Sequence, residues 1–302
     1  MNEEYADVFD EHRRFLFSIA YRMLGSVVEA EDMVQETFLR WQQSRGEGVE
    51  SPRAYLATIV TRLCINHLSS ARVRREQYVG SWLPEPIITD DSADPAKAIC
   101  SAESLSVAFL ILLESLSPVE RAVLLLRDVF DYDYAEIAGM VGRSEANCRQ
   151  VLSRARRHVS ERRARFEPST QQQEKLMSQF VRAATAGDMN GLLTLLADDI
   201  TFWSDGGGKA AAALRPIRGR ERVARFVISA LRRLVPPDRM SRLLEVNGQP
   251  GVVNYISRHP HSAVIVDVAE ERIRTIYVVS NPDKLEGVAF PDTSPLPSRD
   301  AS

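Results

Sequence analysis

An arginine-rich stretch near residue 150 carries the side chains in this sequence that are best suited to recognising a ligand. Arginine can make two hydrogen bonds to guanine, glutamine can make two to adenine, and further arginines can hold phosphates. At about 100° per residue, Arg149, Gln150 and Ser153 share one face of a predicted helix. This face and its flanks predict contact with the major groove of DNA. The residues assigned to it are Ser144, Glu145, Arg149, Gln150, Ser153, Arg154, Arg156 and Arg157.

A second element must position this helix, and the preceding residues predict one. Asp133 is a candidate N-cap, and Glu136, three residues later, completes a capping box. Gly142 can adopt the left-handed conformation that ends a helix, and Ser144 can cap the next one. Two helices joined in this way form a helix-turn-helix. The predicted buried face of the second helix consists of Cys148, Val151, Leu152, Ala155 and Val159.

Positive charge is concentrated in the same stretch. Residues 144–165 contain seven arginines and two glutamates, a net charge of +5, although the whole chain has a net charge of −3. The rest of the chain is therefore acidic. A local basic surface on an acidic protein is typical of a DNA-reading helix, whereas a solvated basic helix is the simpler alternative.

The composition limits the class of protein. The 302 residues, of which 44% are hydrophobic, are enough for two or three globular domains. No run approaches the ~18 apolar residues that span a bilayer, and no secretory signal is visible, so no membrane partner is expected. Cys64, Cys100 and Cys148 fit neither a metal site nor a disulfide framework. We therefore expect a cytoplasmic protein without a metal ion or a cofactor.

Helical periodicity and proline positions divide the chain into parts. The stretch Trp82-Leu83-Pro84-Glu85-Pro86 cannot be helix interior, because two of its residues are prolines, and acidic residues follow it. It therefore predicts an extended linker between two helical modules. The predicted parts are a helical module at 1–76, the linker at 77–104, a second helical module with the helix-turn-helix at 105–166, a third domain at 171–290 and a disordered tail at 291–302.

The first module presents two polar groups of side chains. On its second helix, Asp32, Gln35 and Glu36 lie opposite the apolar face and have no intrahelical purpose. Its third helix opens at Ser51-Pro52. Beside the buried stripe of that helix, or close downstream of it, lie Tyr55, Arg62, Asn66, Arg72, Arg74 and Arg75.

The third domain combines helices with strands. A helix at 171–186 and a short helix capped by Asp188 precede a strand near Ile200–Trp203, and 220–234 is again helical. Several strand-like runs follow, and Asn247-Gly248 and Glu270-Glu271 are plausible hairpin turns. Helices followed by an antiparallel meander predict an α+β domain.

Taken together, these features resemble an extracytoplasmic-function RNA polymerase sigma factor. Residues 10–76 resemble sigma region two, in particular the run Ala30-Glu31-Asp32-Met33-Val34-Gln35-Glu36-Thr37-Phe38. Residues 105–165 resemble region four, with Leu152-Ser153-Arg154-Ala155-Arg156-Arg157 closing the reading helix. The resemblance implies two all-α modules.

The third domain resembles a SnoaL-like domain, a cone-shaped α+β fold that one group of these sigma factors carries at the C-terminus. That group is marked by three motifs, and each stands unbroken in this chain. They are Trp82-Leu83-Pro84-Glu85-Pro86, Asp205-Gly206-Gly207-Gly208-Lys209 and Asn281-Pro282-Asp283-Lys284-Leu285.

The resemblance implies partners and roles. A sigma factor binds core RNA polymerase and promoter DNA, and Asp32, Gln35 and Glu36 would meet the polymerase. Arg149 and Gln150 would read bases of the upstream promoter element, while the later arginines would hold phosphates. The six residues from Tyr55 to Arg75 would bind the opened downstream element. The three motifs would act in cis, with the 205–209 and 281–285 loops docking near 82–86, so that no separate anti-sigma factor is expected.

Two other classes of function are left open. One is a helix-turn-helix regulator that acts alone and senses a small ligand in its third domain. The other is an enzyme fused to a DNA-binding module, since Asp205, His259, His261 and Asp267 could transfer protons. The glycines at 206–208 fit neither a dinucleotide fingerprint nor a P-loop, and we do not expect an enzyme. Whether the third domain binds an unknown small ligand stays open.

Overall fold

A computed structural model divides the chain into two compact units. The N-terminal unit comprises residues 1–76 and 91–163, and the C-terminal unit comprises residues 77–90 and 164–302. The structure describes residues 2–44, 49–76, 78–89, 105–160, 169–234, 236 and 239–290.

The first half of the N-terminal unit is a helical bundle. Gly25, at φ 69°, ends the first helix, and its amide donates to the carbonyl of Tyr21 at 2.7 Å. Ser51 begins the third helix by accepting from the amide of Ala54 at 3.3 Å, with Pro52 in the first turn, as predicted. The helices are α1 (Asn2–Leu24), α2 (Val27–Ser44) and α3 (Pro52–Glu76). The buried core includes Leu16, Ile19, Val34, Trp41, Leu56, Val60 and Leu63.

The second half of this unit contains the predicted helix-turn-helix. Asp133 and Glu136 exchange hydrogen bonds of 2.8 and 2.9 Å in a complete capping box. Gly142, at φ 66°, is the left-handed residue between the two helices. Both features confirm the sequence-based prediction. The helices are α4 (Val107–Glu114), α5 (Pro118–Asp128), α6 (Tyr134–Val141) and α7 (Glu145–Ser160).

The C-terminal unit is an α+β domain with the architecture of a SnoaL-like cone. Its described strands form one six-stranded sheet in the order β2-β1-β6-β5-β4-β3. The elements are α8 (Thr170–Ala186), α9 (Met189–Leu195), β1 (Leu196–Asp205), β2 (Ile217–Arg218), α10 (Arg220–Leu234), β3 (Met240–Val246), β4 (Gln249–Ile256), β5 (His259–Ala269), β6 (Arg272–Val279) and a 3-10 helix (Pro282–Lys284).

The sheet differs from a pure meander at its first strand. Strands β3 to β6 pair antiparallel in sequence order, as predicted, but β1 lies parallel to β6. The predicted turns at Asn247-Gly248 and Glu270-Glu271 are present with positive φ. A third turn with positive φ, at Ser257-Arg258, was not predicted.

Apolar side chains of the helices cover one face of this sheet. Met177 and Phe180 of α8 and Val223 of α10 are buried against sheet residues such as Val252 and Ile276. Burying these side chains holds the layers together and fixes the ends of β1 and β6, where two of the three motifs begin.

Residues 78–89, called the linker segment below, belong to the C-terminal unit. The sequence-based boundaries placed them in a linker at 77–104. They lie in the C-terminal unit because apolar and hydrogen-bonding contacts hold them there, as described below. Residues 90–104 and the predicted tail at 291–302 lie outside the described residues.

Two further observations concern the described residues as a whole. None of the helices in these ranges is long and apolar enough to cross a membrane. No group of three or more His, Cys, Asp or Glu side chains in the described part of the chain could hold a metal ion.

Candidate functional site

Helix α7 separates a buried apolar face from an exposed polar face. Cys148, Leu152 and Ala155 are 0–1% exposed and pack inward, as predicted. The opposite side is in contact with solvent and is continuous along the helix. The exposed residues are Ser144, Glu145, Arg149, Gln150, Ser153, Arg154, Arg156 and Arg157.

The first turn of α7 is ordered by its own side chains. Ser144 accepts a hydrogen bond from the amide of Asn147 at 3.3 Å and caps the helix. Arg149 donates from Nη2 to Oε2 of Glu145 at 2.8 Å and lies 4.7 Å above the ring of Tyr134. These contacts limit the rotamers of Arg149, so less side-chain entropy is lost when it binds a ligand.

The later arginines of α7 are not equivalent. Arg156 donates to both carboxylate oxygens of Asp128 on α5, at 2.6 and 3.0 Å, and this pairing raises the pKa of Arg156. Arg156 therefore fastens α7 to the preceding helix. Arg154 is exposed one turn away from Gln150. Because Asp128 holds the guanidinium of Arg156, Arg156 can turn toward an anion less readily than Arg154 can.

Helix α2 carries the predicted polar stripe, and it is flanked by apolar side chains. Asp32 and Gln35 are exposed, and Glu36 pairs with Arg40 at 2.9 Å. Val28 and Leu39 are 57% and 46% exposed. Val28, Asp32, Gln35 and Leu39 follow helical spacing, so they form one stripe with apolar ends. An exposed mixed stripe of this kind suits a protein partner.

Helix α3 carries the residues that were predicted to bind the downstream promoter element. Tyr55 is 36% exposed with its ring centroid 5.9 Å from that of Trp41, and Asn66 is exposed. Arg62 instead donates to the carbonyls of Gly139 and Met140 at 2.7 and 2.9 Å, at the C-terminal end of α6. Binding of DNA by Arg62 would require these bonds to break. The side chains of Arg72, Arg74 and Arg75 lie outside the described part.

In the C-terminal unit the buried carboxylate of Asp205, at the end of β1, joins the linker segment to the two C-terminal motifs. Its Oδ1 accepts from the hydroxyl of Tyr78 at 2.6 Å and from the amide of Gly207 at 3.0 Å. Its Oδ2 accepts from the amide of Leu83 at 2.9 Å and from Nζ of Lys284 at 2.8 Å. Four donors thus replace the water that a buried carboxylate has lost.

Lys284 is the cation of this cluster and contacts the linker segment directly. Its Nζ also donates to the carbonyl of Leu83 at 2.5 Å. It lies 4.4 Å from the ring centroid of Trp82 and 5.1 Å from that of Tyr78, distances at which a desolvated cation is attracted to an aromatic face. The side chain is 10% exposed.

Tyr78 was not among the predicted site residues, although it holds two of the motifs. Its hydroxyl accepts from Nδ2 of Asn281 at 2.9 Å while it donates to Asp205. Burial, followed by the hydrogen bond to Asp205, raises the pKa of Tyr78, so the hydroxyl keeps the proton that it donates. The only hint in the sequence was an aromatic residue shortly before the Trp82 motif.

The glycines of the 205–209 loop are explained by close contacts. A Cβ on Gly207 would lie 2.3 Å from Nδ2 of Asn281, and φ at this residue is 59°. A Cβ on Gly206 would lie 2.3 Å from the carbonyl oxygen of Ala210. A side chain on Gly208 would meet Val79 at 3.3 Å. The loop therefore packs closely on itself, on Asn281 and on Val79 of the linker segment because these three positions lack side chains.

Most of the remaining residues of the three motifs join the two C-terminal loops to each other or are buried. Lys209 and Asp283 form an exposed ion pair at 2.6 Å. Pro282 begins the 3-10 helix, and Leu285, which ends it, is buried. The linker-segment residues that are buried are Leu83, Pro84, Glu85 and Pro86.

The other end of the linker segment is held by the predicted β3–β4 turn at Asn247-Gly248, although the sequence did not predict this contact. The amide of Ile87 donates to Oδ1 of Asn247 at 3.1 Å, and the amide of Asn247 donates to the carbonyl of Ile87 at 2.8 Å. The amide of Thr89 donates to the carbonyl of Glu245 at 2.9 Å, and Ile88 forms a bridge with Val246.

The four candidate proton-transfer residues are not brought together. The carboxylate of Asp205 is occupied by the linker segment, as described above. His259, His261 and Asp267 all lie on β5. Of these four, only His261 lines the apolar cavity between α8, α10 and the sheet.

Fold and surface together define a modular DNA-binding protein that has two helical modules in one unit and an α+β domain in the other. Residues 8–74 match sigma-70 region 2, and residues 106–159 match sigma-70 region 4. The ECF RNA polymerase sigma factor SigJ of Mycobacterium tuberculosis is 38% identical over 97% of this chain and 95% of its own length. SigG, an ECF sigma factor of the same organism, is 30% identical over 95% of this chain and 81% of its own.

The solved structure of SigJ shows the same similarity. The crystal structure of M. tuberculosis SigJ superposes with a TM-score of 0.78 at 34% identity, covering 95% of this chain and all of that one. The sigma factor RpoE of Bartonella quintana, solved with the anti-sigma factor NepR, matches with a TM-score of 0.38 at 21% identity, over 53% of this chain and 94% of that one. The chain belongs to the ECF RNA polymerase sigma factors, and it is an alternative sigma factor of transcription initiation.

Proposed function

We propose that the exposed stripe of α2 binds core RNA polymerase and that α7 reads the upstream promoter element. Asp32, Gln35 and Glu36 would contact the polymerase, with Leu39 adding apolar area to the contact. Arg149 and Gln150 would contact bases. The observation that best supports this proposal is the continuous exposed polar face of α7 on a well-packed helix-turn-helix.

The downstream element would be held by exposed side chains of α3. Tyr55 offers an aromatic face on which an unstacked base can pack, and Asn66 offers hydrogen bonds. Arg62 would join them after leaving the carbonyls of α6, and Arg72, Arg74 and Arg75 would add positive charge. A stand-alone regulator has no use for the region-two match, so we favour the sigma factor over that alternative.

The test is run-off transcription with bacterial core polymerase that lacks its own specificity subunit. The buffer should match the cytoplasm, where we expect this protein to act. The full-length protein should direct transcripts from a subset of promoters. Core polymerase alone, on the same templates, is the control. A protein that neither binds core polymerase nor supports a transcript would contradict the proposal.

We further propose that the C-terminal unit regulates the sigma modules in cis by holding the linker segment. Fully extended, residues 77–104 can reach about 95 Å, whereas residues 90–104 alone can reach about 50 Å from Thr89. Holding residues 78–89 fixes the span of that part of the connection, so only residues 90–104 remain to vary the distance between regions two and four. Tethering makes this contact intramolecular, so it does not need high intrinsic affinity.

Two expected absences follow from this arrangement and remain predictions. A domain that restrains its own chain makes a separate anti-sigma factor unnecessary, which affinity purification from a native host lysate can test. The C-terminal unit is also not expected to be an enzyme. Supporting this, Asp205 is engaged by four donors, and the described lining of the cavity contains a histidine but no carboxylate.

Transcription by full-length variants tests the regulation in cis. Lys284→Met removes the buried cation that holds Leu83, and we expect promoter output to change several-fold. Lys209→Met removes an exposed ion pair in the same pair of motifs and should leave output unchanged. Equal output from both variants and the unmodified protein would contradict regulation through the docked linker segment.

A further inference from the structure

The C-terminal unit contains a cavity of about 160 Å³ between helices α8 and α10 and the sheet. Apolar side chains line most of it, including Phe180, Phe202, Phe226, Val264 and Val278. In another protein, a cavity of about 150 Å³ with similar walls binds benzene. The size and walls of this cavity therefore fit a ligand with a compact apolar body.

One end of the cavity is polar and organised by hydrogen bonds across three strands. Ser241 of β3 donates to Oδ1 of Asn254 on β4 at 2.7 Å, and Nδ2 of Asn254 donates to Oγ of Ser262 on β5 at 2.9 Å. Asn254 and Ser262 are each 8% exposed. A chain of polar groups on an otherwise apolar wall fixes where the polar end of a ligand would lie.

The side chains of Arg239 and His261 lie near these three polar residues. Arg239 precedes β3, and His261 lies in β5 at a bulge, because Asn254 pairs with Ser262 while Tyr255 pairs with Pro260. A bulge redirects the side chain of the extra residue. Both Arg239 and His261 line the cavity.

The charge at this end of the cavity is uncompensated among the described residues. No described lining residue is a carboxylate, and Arg239 has no acidic partner in the described ranges. Burial lowers the pKa of Arg239, and burial, followed by the charge of Arg239, lowers the pKa of His261. The cavity thus offers one partly desolvated cation and a neutral imidazole, which suits a ligand with a single negative charge.

We propose that this cavity binds a small carboxylic acid with an apolar body, its carboxylate meeting Arg239 and His261 and its body lying among the aromatic side chains. A phosphate-like dianion would bring a second charge without a second cation to meet it. A neutral hydrocarbon would leave the guanidinium unpaired.

The position of the cavity connects it to the docked linker segment. Ser204 and Ser280 line the cavity, and they directly precede Asp205 and Asn281, which both bind Tyr78 of the linker segment. A bound acid would therefore contact the strand ends that position Asp205 and Asn281. This consequence rests on the proposed regulation in cis, whereas binding of the acid does not.

Calorimetric titration of the full-length protein tests the binding itself. The probes are benzoate, phenylacetate and octanoate, each paired with its neutral amide. We expect at least one acid to bind with a stoichiometry of one and its amide to bind about tenfold more weakly. Arg239→Gln should lower the affinity for the acid to that for the amide. Arg222→Gln, an exposed arginine on α10 that does not line the cavity, should bind as the unmodified protein does.

A second variant locates the site if Arg239→Gln does not fold. Ala230→Leu adds volume to the cavity wall from α10 and should remove binding while Arg239 remains. Equal affinity for acid and amide, unchanged binding in either variant, or no binding by any probe at millimolar concentration would each overturn the proposal. Binding of the acid without any effect on transcription would refute only the link to regulation in cis.

Discussion

Nζ of Lys284 lies 2.8 Å from Oδ2 of Asp205, and the two side chains are 10% and 0% exposed. Burial of two charges is costly, and their attraction offsets that cost only when the remaining donors and acceptors are also satisfied. Here they are, because the carboxylate accepts from Tyr78 and Leu83 and the ammonium donates to the carbonyl of Leu83. The pair therefore stabilises the unit only together with the docked linker segment.

Replacing Lys284 by Met should destabilise the C-terminal unit by about 3–5 kcal/mol, because the variant leaves a buried carboxylate without its cation. Urea unfolding followed by circular dichroism measures this. The matched control is Lys209→Met, whose ion pair with Asp283 is more than half exposed and should be worth at most about 1 kcal/mol. Equal losses of stability in the two variants would show that burial does not increase the contribution of the Lys284–Asp205 ion pair.

Gly207→Ala should loosen the 205–209 loop. The added Cβ meets Asn281. The alanine must also adopt a positive φ, which alone costs roughly 1–2 kcal/mol. Hydrogen exchange should therefore accelerate at the amide of Leu83. Gly139→Ala is the control, since it lies within α6 with no atom within 4 Å of the new Cβ, and it should stabilise the protein by about 0.5–1 kcal/mol. Unchanged exchange at Leu83 in Gly207→Ala would contradict this coupling.

Arg149→Ala and Arg154→Ala should differ in how they weaken promoter binding. Loss of Arg149 should cost about 1–3 kcal/mol on the preferred sequence and relax preference at one base pair. Loss of Arg154 should weaken all sequences alike and lower the salt slope by about one unit. Fluorescence anisotropy of region-four binding to a set of point-substituted duplexes, at several salt concentrations, distinguishes the two. If Arg149→Ala keeps the full sequence preference, its base-reading role is wrong.

Gln35→Ala should weaken binding to core polymerase by about 1 kcal/mol or more, because it removes a side chain from the centre of the exposed stripe of α2. Gln171→Ala is the control, since Gln171 is an exposed glutamine of helix α8 in the C-terminal unit. Surface plasmon resonance with immobilised core enzyme measures both affinities. Identical affinities for the two variants would count against α2 as the polymerase-binding surface.

Acid should weaken the cap of α5. The hydroxyl of Ser117 donates to the carboxylate of Glu120 at 2.7 Å and lowers the pKa of Glu120 below its ordinary value of 4.5. This contribution to stability is therefore present above pH 4.5 and is lost as the pH falls through the lowered value. The Glu120→Gln variant should lose less stability between pH 7 and pH 3 than the unmodified protein. Glu11→Gln, an exposed control on α1, should behave as the unmodified protein does.

The helix-turn-helix could be predicted because its signals are local. Asp133, Glu136, Gly142 and Ser144 act within a few residues of their own positions, so their spacing is sufficient to place the helix ends. The burial of Cys148 likewise follows from helical periodicity. The hairpin turn at Asn247-Gly248 was predicted for the same reason, whereas the turn at Glu270-Glu271 was predicted from its place between two strand-like runs.

The contacts that could not be predicted join residues far apart in sequence. Tyr78 meets Asp205 and Asn281 across more than 120 residues, and nothing in the spacing of these residues specifies that meeting. The parallel pairing of β1 with β6 is similar, because side-chain alternation shows that a strand exists but not its neighbour. The three motifs predicted that the 205–209 and 281–285 loops lie near residues 82–86, but not which atoms meet or that residues 78–89 pack as part of the C-terminal unit.

The pairing of Ile88 with Val246 covers one end of an edge strand of the sheet. If the linker segment left, β3 would present unpaired amides and carbonyls there, and such edges recruit strands from other molecules. Docking of the linker segment would therefore also protect this edge of the sheet from self-association.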